Sequence, residues 1–553
     1  MATTEVASTG SPTAGPADYD VVIIGAGIAG IHQLYNLKGS GLSVRVLEAG
    51  TGVGGTWYWN RYPLARFDSE SYSYGYFFSK ELLAEWDWSE HFAAQPETER
   101  YLNFVVDKFG LRDDFQFSAR VEAAVFDDEA NIWTLRTSDG ATTTARFVIA
   151  ATGLLSAPFF PDIPGRDEFR GESYHTGLWP KVPVDFKGKR VAMIGTGASA
   201  VQLLPAIAPQ VASITVYQRT PNWCAPLNNG PITAEEQAEI KASYDQIQEL
   251  VRSTFAGFAH PDGTKGTFED SKEQRLEFYE QLWNKRGFAK LFSNYNDILV
   301  DRRANAEFCE FLADKIRARV NNPVTAEKLI PKDHGYGMKR PPMETGYYEA
   351  YNQPNVSLVD LHETPILRIT ETGIVTAEGE QPFDIIIWAT GFDAVTGALT
   401  RMGVVGTDGE RLGEFWADGP RTYLGVSTPR FPNFFFVGGP HFPFANVPRG
   451  TEIQVEFVTD LVKHLAESAY VRAAPSELAE EAWTTHVLES AVPFLVADTA
   501  WFRGANIPGK ADRFMLYVGG LVAYRAKLNE VASRGYDGFE LSREHAGVSS
   551  SAS

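Results

Sequence analysis

Two glycine-rich turns, each set between an apolar strand and a helical run, constrain this chain more than any other feature. Tyr19-Asp-Val-Val-Ile-Ile24 is a short continuous apolar run, as expected of a strand buried on both faces. It enters Gly25-Ala-Gly27-Ile-Ala-Gly30, a helical stretch follows to about Gly39, and a second strand, Ser43-Val-Arg-Val-Leu47, ends in Glu48. The order recurs at Arg190-Val-Ala-Met-Ile194, Gly195-Thr196-Gly197-Ala-Ser199-Ala200, a helix, and Ser213-Ile-Thr-Val-Tyr217, ending Gln218-Arg219-Thr220. In such a βαβ unit the first glycine makes the turn and the second lets backbone approach a pyrophosphate. The third position lets helix and strand close. Phosphates then sit at the helix N-terminus, where free N–H groups and the dipole favour anions. The expected fold is α/β, with two Rossmann-like dinucleotide-binding domains.

The two sites differ in charge. Glu48 follows Gly25 by 23 residues, and Gln218 follows Gly195 by 23. A carboxylate accepts from ribose hydroxyls but repels a 2′-phosphate, whereas Arg219, with Thr220, would pair with one. The first site is therefore predicted to take FAD and the second NADPH, with Gln218 offering a neutral amide. Paired Ala-Thr-Gly segments, ending at Gly153 and Gly391, suggest where the chain leaves and re-enters the first domain. The predicted layout is a disordered tail over 1–18, an FAD domain over 19–155 and 384–540, and an NADP domain over 156–383. A flexible tail over 541–553 ends it. Thr233-Ala-Glu-Glu236 and Ser271-Lys-Glu-Gln274 read as capping boxes and place a helical insertion at about 225–335, either a cover for the cofactor cleft or an oligomerisation arm.

Composition excludes several functions. A net charge of −20 disfavours nucleic acid and anionic membrane as partners. No run reaches the roughly 18 to 20 apolar residues of a membrane span. No Cys/His cluster suggests a metal site. Cys224 and Cys309, 85 residues apart, form no close redox pair and fit a reducing cytoplasm. A monomer or weak homo-oligomer is expected.

Between the two glycine turns lies Phe169-Arg-Gly171-Glu-Ser-Tyr-His175-Thr-Gly-Leu-Trp179-Pro180. This F-x-G-x-x-x-H-x-x-x-W-P pattern resembles the fingerprint of type I Baeyer–Villiger monooxygenases, flavoenzymes that insert oxygen beside a ketone carbonyl. The likeness extends to Gly54-Gly55-Thr56-Trp57, to Tyr62-Pro-Leu64-Ala-Arg-Phe67-Asp68, to Lys339-Arg340, to Pro440-His441-Phe442-Pro-Phe444-Ala-Asn446, and to Trp501-Phe-Arg503-Gly504. The resemblance implies a reaction consuming NADPH and O2 that turns a ketone, cyclic by preference, into a lactone or ester. The resemblance further implies that oxygen would add at flavin C4a as a peroxide anion, with Arg340 stabilising it and Asp68 holding Arg340. It implies Gly55, Thr56, Trp57, Asp68, Val121 and Asn446 at the FAD, and Thr196, Ser199, Ala200, Lys339 and Trp501, besides the second-site residues above, at the NADP. Leu64, Phe442 and Phe444 would line an apolar pocket, with His175 and Trp179 in a hinge between domains. Relatives usually carry Gly where Leu64 stands, a small residue or Cys at Phe67, and an apolar residue at Arg503. The rival readings are an N- or S-oxygenating flavin monooxygenase and an NADP-binding flavoprotein redox sensor.

Overall fold

The computed structural model describes residues 17–543. Its first sheet is built on β1 (Tyr19–Ile24), which lies parallel to β2 (Val44–Leu47) on one side and β6 (Thr142–Ala150) on the other. Val21, Val22 and Ile23 are all 0% exposed, which is why this strand reads as unbroken apolar sequence rather than as an alternation. Beyond β2 lies β3 (Phe115–Gln116), and beyond β6 the antiparallel β5 (Ile132–Thr137) and β4 (Val121–Asp127). Only the first part of β6 pairs with β5. Its last three residues pair with Phe434–Phe436, returning from far along the chain.

The second sheet is parallel throughout, in the order Val356–Asp360, β9 (Ser213–Gln218), β8 (Arg190–Ile194), Ile385–Trp388, β7 (Glu172–His175). This moves a boundary. The segment 384–391 was expected to open the second part of the FAD domain, but Ile385–Trp388 lies between β8 and β7 with every residue buried. It is the inner strand of the second sheet. The chain crosses back only after Gly391, alongside the segment on which it left. Phe159 N donates to Gly391 O at 2.9 Å, Asp393 N to Ala157 O at 2.8 Å, and Val395 N to Leu154 O at 2.8 Å. Two crossing segments bonded to each other thus join the domains.

The insertion is helical, with its longest helices at Lys272–Asn284 and Arg302–Arg319. Both predicted capping boxes form, with Thr233 and Ser271 each accepting from the residue three on while Glu236 and Gln274 reach back. It ends in an irregular loop carrying Lys339 and Arg340, fastened where Met343–Glu344 pairs with Ala225–Pro226. The predicted tails fall largely outside the described residues. Their inner ends are ordered: Asp18 exchanges hydrogen bonds with Thr144 at the start of β6, and Phe539–Ser542 pairs with Arg472–Pro475.

Trp133 fixes the join between β5 and the returning chain. It is 0% exposed, its indole N–H donates to Pro432 O at 2.8 Å, and its ring lies 5.2 Å from both Phe126 and Phe434. Trp133→Ala should cost about 3–5 kcal/mol, read as a lowered denaturant midpoint. An unchanged midpoint would contradict this role.

Candidate active site

At the first glycine turn the spacing is enforced by contact. Gly25 has φ +106°, and a Cβ there would lie 2.7 Å from Ala151 O; a Cβ on Gly30 would lie 1.9 Å from Gly25 O. Gly27 faces Gly55, whose Cβ would come within 2.7 Å of Gly27 Cα. The Gly54-Gly55 backbone therefore closes over the phosphate turn, aided by Gly54 N donating to Ala26 O at 2.9 Å. The Ile28–Leu37 helix has no side-chain cap, so its first N–H groups face this cradle unsatisfied by any side chain. Glu48 is buried and accepts from Ala26 N at 2.7 Å and Gly50 N at 2.6 Å, so the loop aims its carboxylate; burial, the larger effect, raises its pKa. Val121 is buried in the same cluster as Ile24 and Leu47. Thr56 is exposed at the start of a short helix, and Trp57 beside it is buried with its indole on Tyr74 Oη at 3.1 Å.

Asn446 is buried, with contacts on both sides of its amide. Its Oδ1 accepts from Ser69 Oγ at 3.1 Å and its Nδ2 donates to Ser73 O at 3.1 Å and Gly257 O at 3.3 Å. Its amide clamps the Ser69–Ser73 turn to the insertion.

The second turn repeats the first. Gly195 has φ +110° and a Cβ there would lie 2.3 Å from Ala389 O, while Ala200 is 0% exposed and space around Gly197 is open. The two Ala-Thr-Gly segments thus have one job each: their alanine carbonyls close against the first glycine of their own site. Thr196 Oγ1 donates to Thr220 O at 2.7 Å, and Ser199 Oγ bonds Thr176 Oγ1 at 3.0 Å. The Ala198–Ile207 helix is likewise uncapped. Gln218 corrects the sequence reading. It is 1% exposed, and its Nε2 donates to Lys328 O at 2.7 Å, so it faces inward rather than toward a ribose. Arg219 is exposed and Lys339 half-buried; burial lowers the Lys339 pKa, nearby Asp333 opposes this, and the Arg219 charge lowers it further. Arg219 and Lys339 thus carry like charges close enough to disfavour each other, an arrangement that an anion between them would relieve.

Asp68 and Arg340 meet between the domains. Arg340 Nη2 lies 2.8 Å from Asp68 Oδ2, the Asp68 side chain is 1% and the Arg340 side chain 31% exposed. Burial pushes the Asp68 carboxyl above the ordinary carboxylate range, opposed chiefly by the Arg340 charge and by Met343 N at 3.4 Å. Asn222 holds the Arg340 carbonyl at 3.0 Å, and the guanidinium lies 5.4 Å from the Phe288 ring centroid. Among the described residues Arg340 Nη1 and Asp68 Oδ1 have no hydrogen-bond partner. An aromatic wall runs from Phe288 through Phe258 and Phe292, with rings 5.0 and 4.7 Å apart, to Phe444 at 6.5 Å. Phe444 and Trp501 belong to one apolar cluster with Met338 and Phe502. Phe442 instead is 1% exposed with its ring against Gly450, within the packing and not on a free wall. Leu64 is 44% exposed at φ +64°, a strained conformation for a side chain where glycine would be at ease.

The Phe169–Pro180 motif sits on the crossing segments. Gly171, just before β7, has no room for a Cβ, since Asp384 O would lie 2.6 Å away, and Phe169 packs beside it. The His175 ring packs on Phe160 and Phe392, one residue from each crossing segment, and Nδ1 accepts from Gly177 N at 3.0 Å. Trp179, just before the half-buried Pro180, packs on Tyr62, and its backbone N–H donates to Trp59 O at 3.2 Å, tying it to the loop after Gly55. The 501–510 segment is tied to the same crossing: Asn506 Nδ2 donates to Phe392 O at 2.8 Å and Lys510 Nζ meets Asp393 at 2.7 Å. Arg503 is taken up by Asp512 at 2.7 Å. His441, 0% exposed, bonds Thr422 and is sealed from any substrate. Sequence reasoning missed Thr176, Gln202, Tyr62 and Phe288. Gln202 alone left a signal, as a polar residue amid the apolar Ala198–Ile207 helix.

Two phosphate turns, one on a mixed sheet and one on a parallel sheet, with a fixed cation between them, define a two-dinucleotide oxidoreductase. Residues 22–267 match the pyridine nucleotide-disulphide oxidoreductase family model, although Cys224 and Cys309 are both free thiols. The chain is 44% identical to the 2-oxo-Delta(3)-4,5,5-trimethylcyclopentenylacetyl-CoA monooxygenase of Pseudomonas putida, covering 94% of this chain and 98% of the relative. It is 42% identical to the cyclopentanone 1,2-monooxygenase of a Comamonas species (94% and 96%), and 41% identical to phenazine N-monooxygenase PhzNO1 of Lysobacter antibioticus (95% and 97%). The solved structure of OTEMO in complex with FAD and NADP superposes with a TM-score of 0.93 at 43% identity, over 96% of this chain and 100% of that one. This chain belongs to the Baeyer–Villiger monooxygenases.

Burial drives the pKa of His175 and of His32 down from 6.5 to about 4, and that of His441 to about 3. Each folded pKa lies below its unfolded value, so the stability of the neutral ring is whole above pH 6.5 and is lost as pH falls toward 4. For His175 this is roughly 3 kcal/mol. His175→Asn, whose side-chain oxygen can accept from Gly177 N without titrating, should flatten the fall of the denaturant midpoint between pH 6.5 and 4. An unchanged slope would show that His175 does not carry it.

Proposed function

We propose that this protein binds FAD at the Gly25 turn and NADP(H) at the Gly195 turn, and converts ketones, with cyclic ones preferred, to lactones or esters. The overall reaction takes ketone, O2, NADPH and a proton to ester, NADP+ and water. One oxygen atom enters the bond between the carbonyl carbon and its neighbour and the other leaves as water. Bound flavin would pass the electrons of NADPH to oxygen. Gly25, Gly27, Gly30 and Gly55 form the cradle that fits its pyrophosphate, with Glu48 toward a ribose. Arg219, Thr220 and Lys339 fit the extra phosphate of NADP.

One observation carries the reading. Arg340 stands at the meeting of both domains with Nη2 committed to Asp68 and Nη1 unpartnered among the described residues. A guanidinium keeps its charge at any working pH. That free edge can hold negative charge on the oxygen being transferred and then on the ketone oxygen, a contribution of roughly 3 to 4 kcal/mol for one preorganised donor. The Phe288, Phe258, Phe292 and Phe444 rings suit an apolar substrate, and Trp501 closes the same side. Two free cysteines fit a cytoplasmic setting.

A second reading, N-oxygenation, is favoured by the likeness to the phenazine N-monooxygenase. Aerobic turnover of FAD-loaded enzyme with NADPH and a panel of cyclic ketones, linear ketones, thioethers and aromatic N-heterocycles separates the two. Products sixteen mass units heavier from ketones, formed in step with NADPH loss, are expected. N-oxides without esters would replace the proposal by its rival, and hydrogen peroxide alone would remove both. Asp68→Ala, which frees Arg340 to move by an ångström or more, should lower ester formation roughly 10- to 100-fold while NADPH oxidation continues to peroxide. Full ester formation in that variant would remove Asp68 from the site.

A further inference from the structure

Gln202 grows from the helix of one dinucleotide site yet spends its side chain on the other. It lies on the Ala198–Ile207 helix, one turn beyond Ser199, and is 9% exposed. Its Oε1 accepts from Tyr62 Oη at 2.8 Å and from Arg66 N at 3.4 Å, and its Nε2 donates to Arg66 O at 3.0 Å. A single amide thus grips both backbone polar groups of Arg66 as a neighbouring strand would. Arg66 is held on its far side by Glu90 at 2.9 Å. Asp68 is two residues on, and Asp68 sets Arg340.

The other contacts of this loop point the same way. Tyr62 packs on Trp179, which ends the short turn begun by Thr176, and Thr176 bonds Ser199 in the first turn of the helix that carries Gln202. That first turn is uncapped and is where a nucleotide phosphate would dock. A helix is stiff over one turn, so a shift at Ser199 moves Gln202, and Gln202 cannot move without the 62–66 loop. We propose that Gln202 is a positioning residue that couples occupancy of the second dinucleotide site to the placement of Asp68, and through it Arg340. This rests on the reading that the Gly195 turn binds NADP.

The test uses full-length, FAD-loaded protein with NADP+ as probe. Hydrogen exchange of the peptide spanning 62–68 is measured with and without NADP+, alongside NADP+ affinity and the ratio of ester to hydrogen peroxide. Two variants are compared with the parent: Gln202→Leu, which keeps the bulk, and Tyr62→Phe, which removes one partner and leaves the helix untouched. In the parent, NADP+ should slow exchange across 62–68. In Gln202→Leu that protection should vanish while NADP+ affinity and the KM for NADPH stay within about threefold, and the share of NADPH ending as peroxide should rise several-fold. Tyr62→Phe should show the same pattern more weakly, and the double variant should be no worse than Gln202→Leu alone. Protection that persists in both variants overturns the proposal, as does a parent whose loop ignores NADP+. Loss of NADP+ affinity in step with loss of thermal stability would make Gln202 a packing residue only. A parent that forms no ester defeats the proposed reaction, yet the exchange arm still reads the coupling.

Discussion

A carboxylate 1% exposed to water, raised in pKa by its burial, stays useful as an anion only if a cation is brought to it. Asp68 and Arg340 come from distant parts of the chain, one from the loop after the first phosphate turn and the other from the end of the helical insertion. Their 2.8 Å pairing is therefore a condition on how the two domains meet. Phe288 on the guanidinium, Asn222 on the Arg340 carbonyl and Met343 N–H on the carboxylate all serve that one pair.

The domains can meet this condition because each is closed in the same way and the link between them is double. Ala151 O fills the space beside Gly25, and Ala389 O the space beside Gly195. Immediately after each alanine the chain crosses to the other domain, and the two crossings are bonded to each other along 154–159 and 391–395. His175 wedges between Phe160 and Phe392 at this crossing, and the 501–510 segment is fastened to it through Asn506 and Lys510. The twelve-residue fingerprint is thus explained as joint and not as chemistry, since its histidine is kept neutral by burial and its tryptophan is packed.

Much of this was legible in the sequence, for identifiable reasons. Strands buried on both faces and glycines that admit no Cβ leave strong local marks, so both dinucleotide units and both capping boxes could be read from residue type and spacing. What failed depended on partners remote in sequence. The strand Ile385–Trp388 looks alike whichever sheet it joins, and only pairing with β7 and β8 assigns it. Gln218 has the right spacing for a ribose contact but turns to the Lys328 carbonyl, 110 residues away. The partners of Asn446 at Ser69, Ser73 and Gly257 likewise could not be inferred from its neighbours in sequence. Arg340 itself was found only through its likeness to a family segment, since a Lys-Arg pair between glycines and prolines has no intrinsic signature of catalysis.

The central claim is that the free edge of Arg340 steers the oxygen toward a carbonyl. The direct measurement is the product partition of Arg340→Met given a single substrate that carries both a ring ketone and a thioether. The account predicts that lactone formation falls by roughly 10²–10³ while sulfoxide persists, because only the carbonyl route needs charge held on oxygen. Lactone and sulfoxide falling together, or lactone surviving, would contradict it.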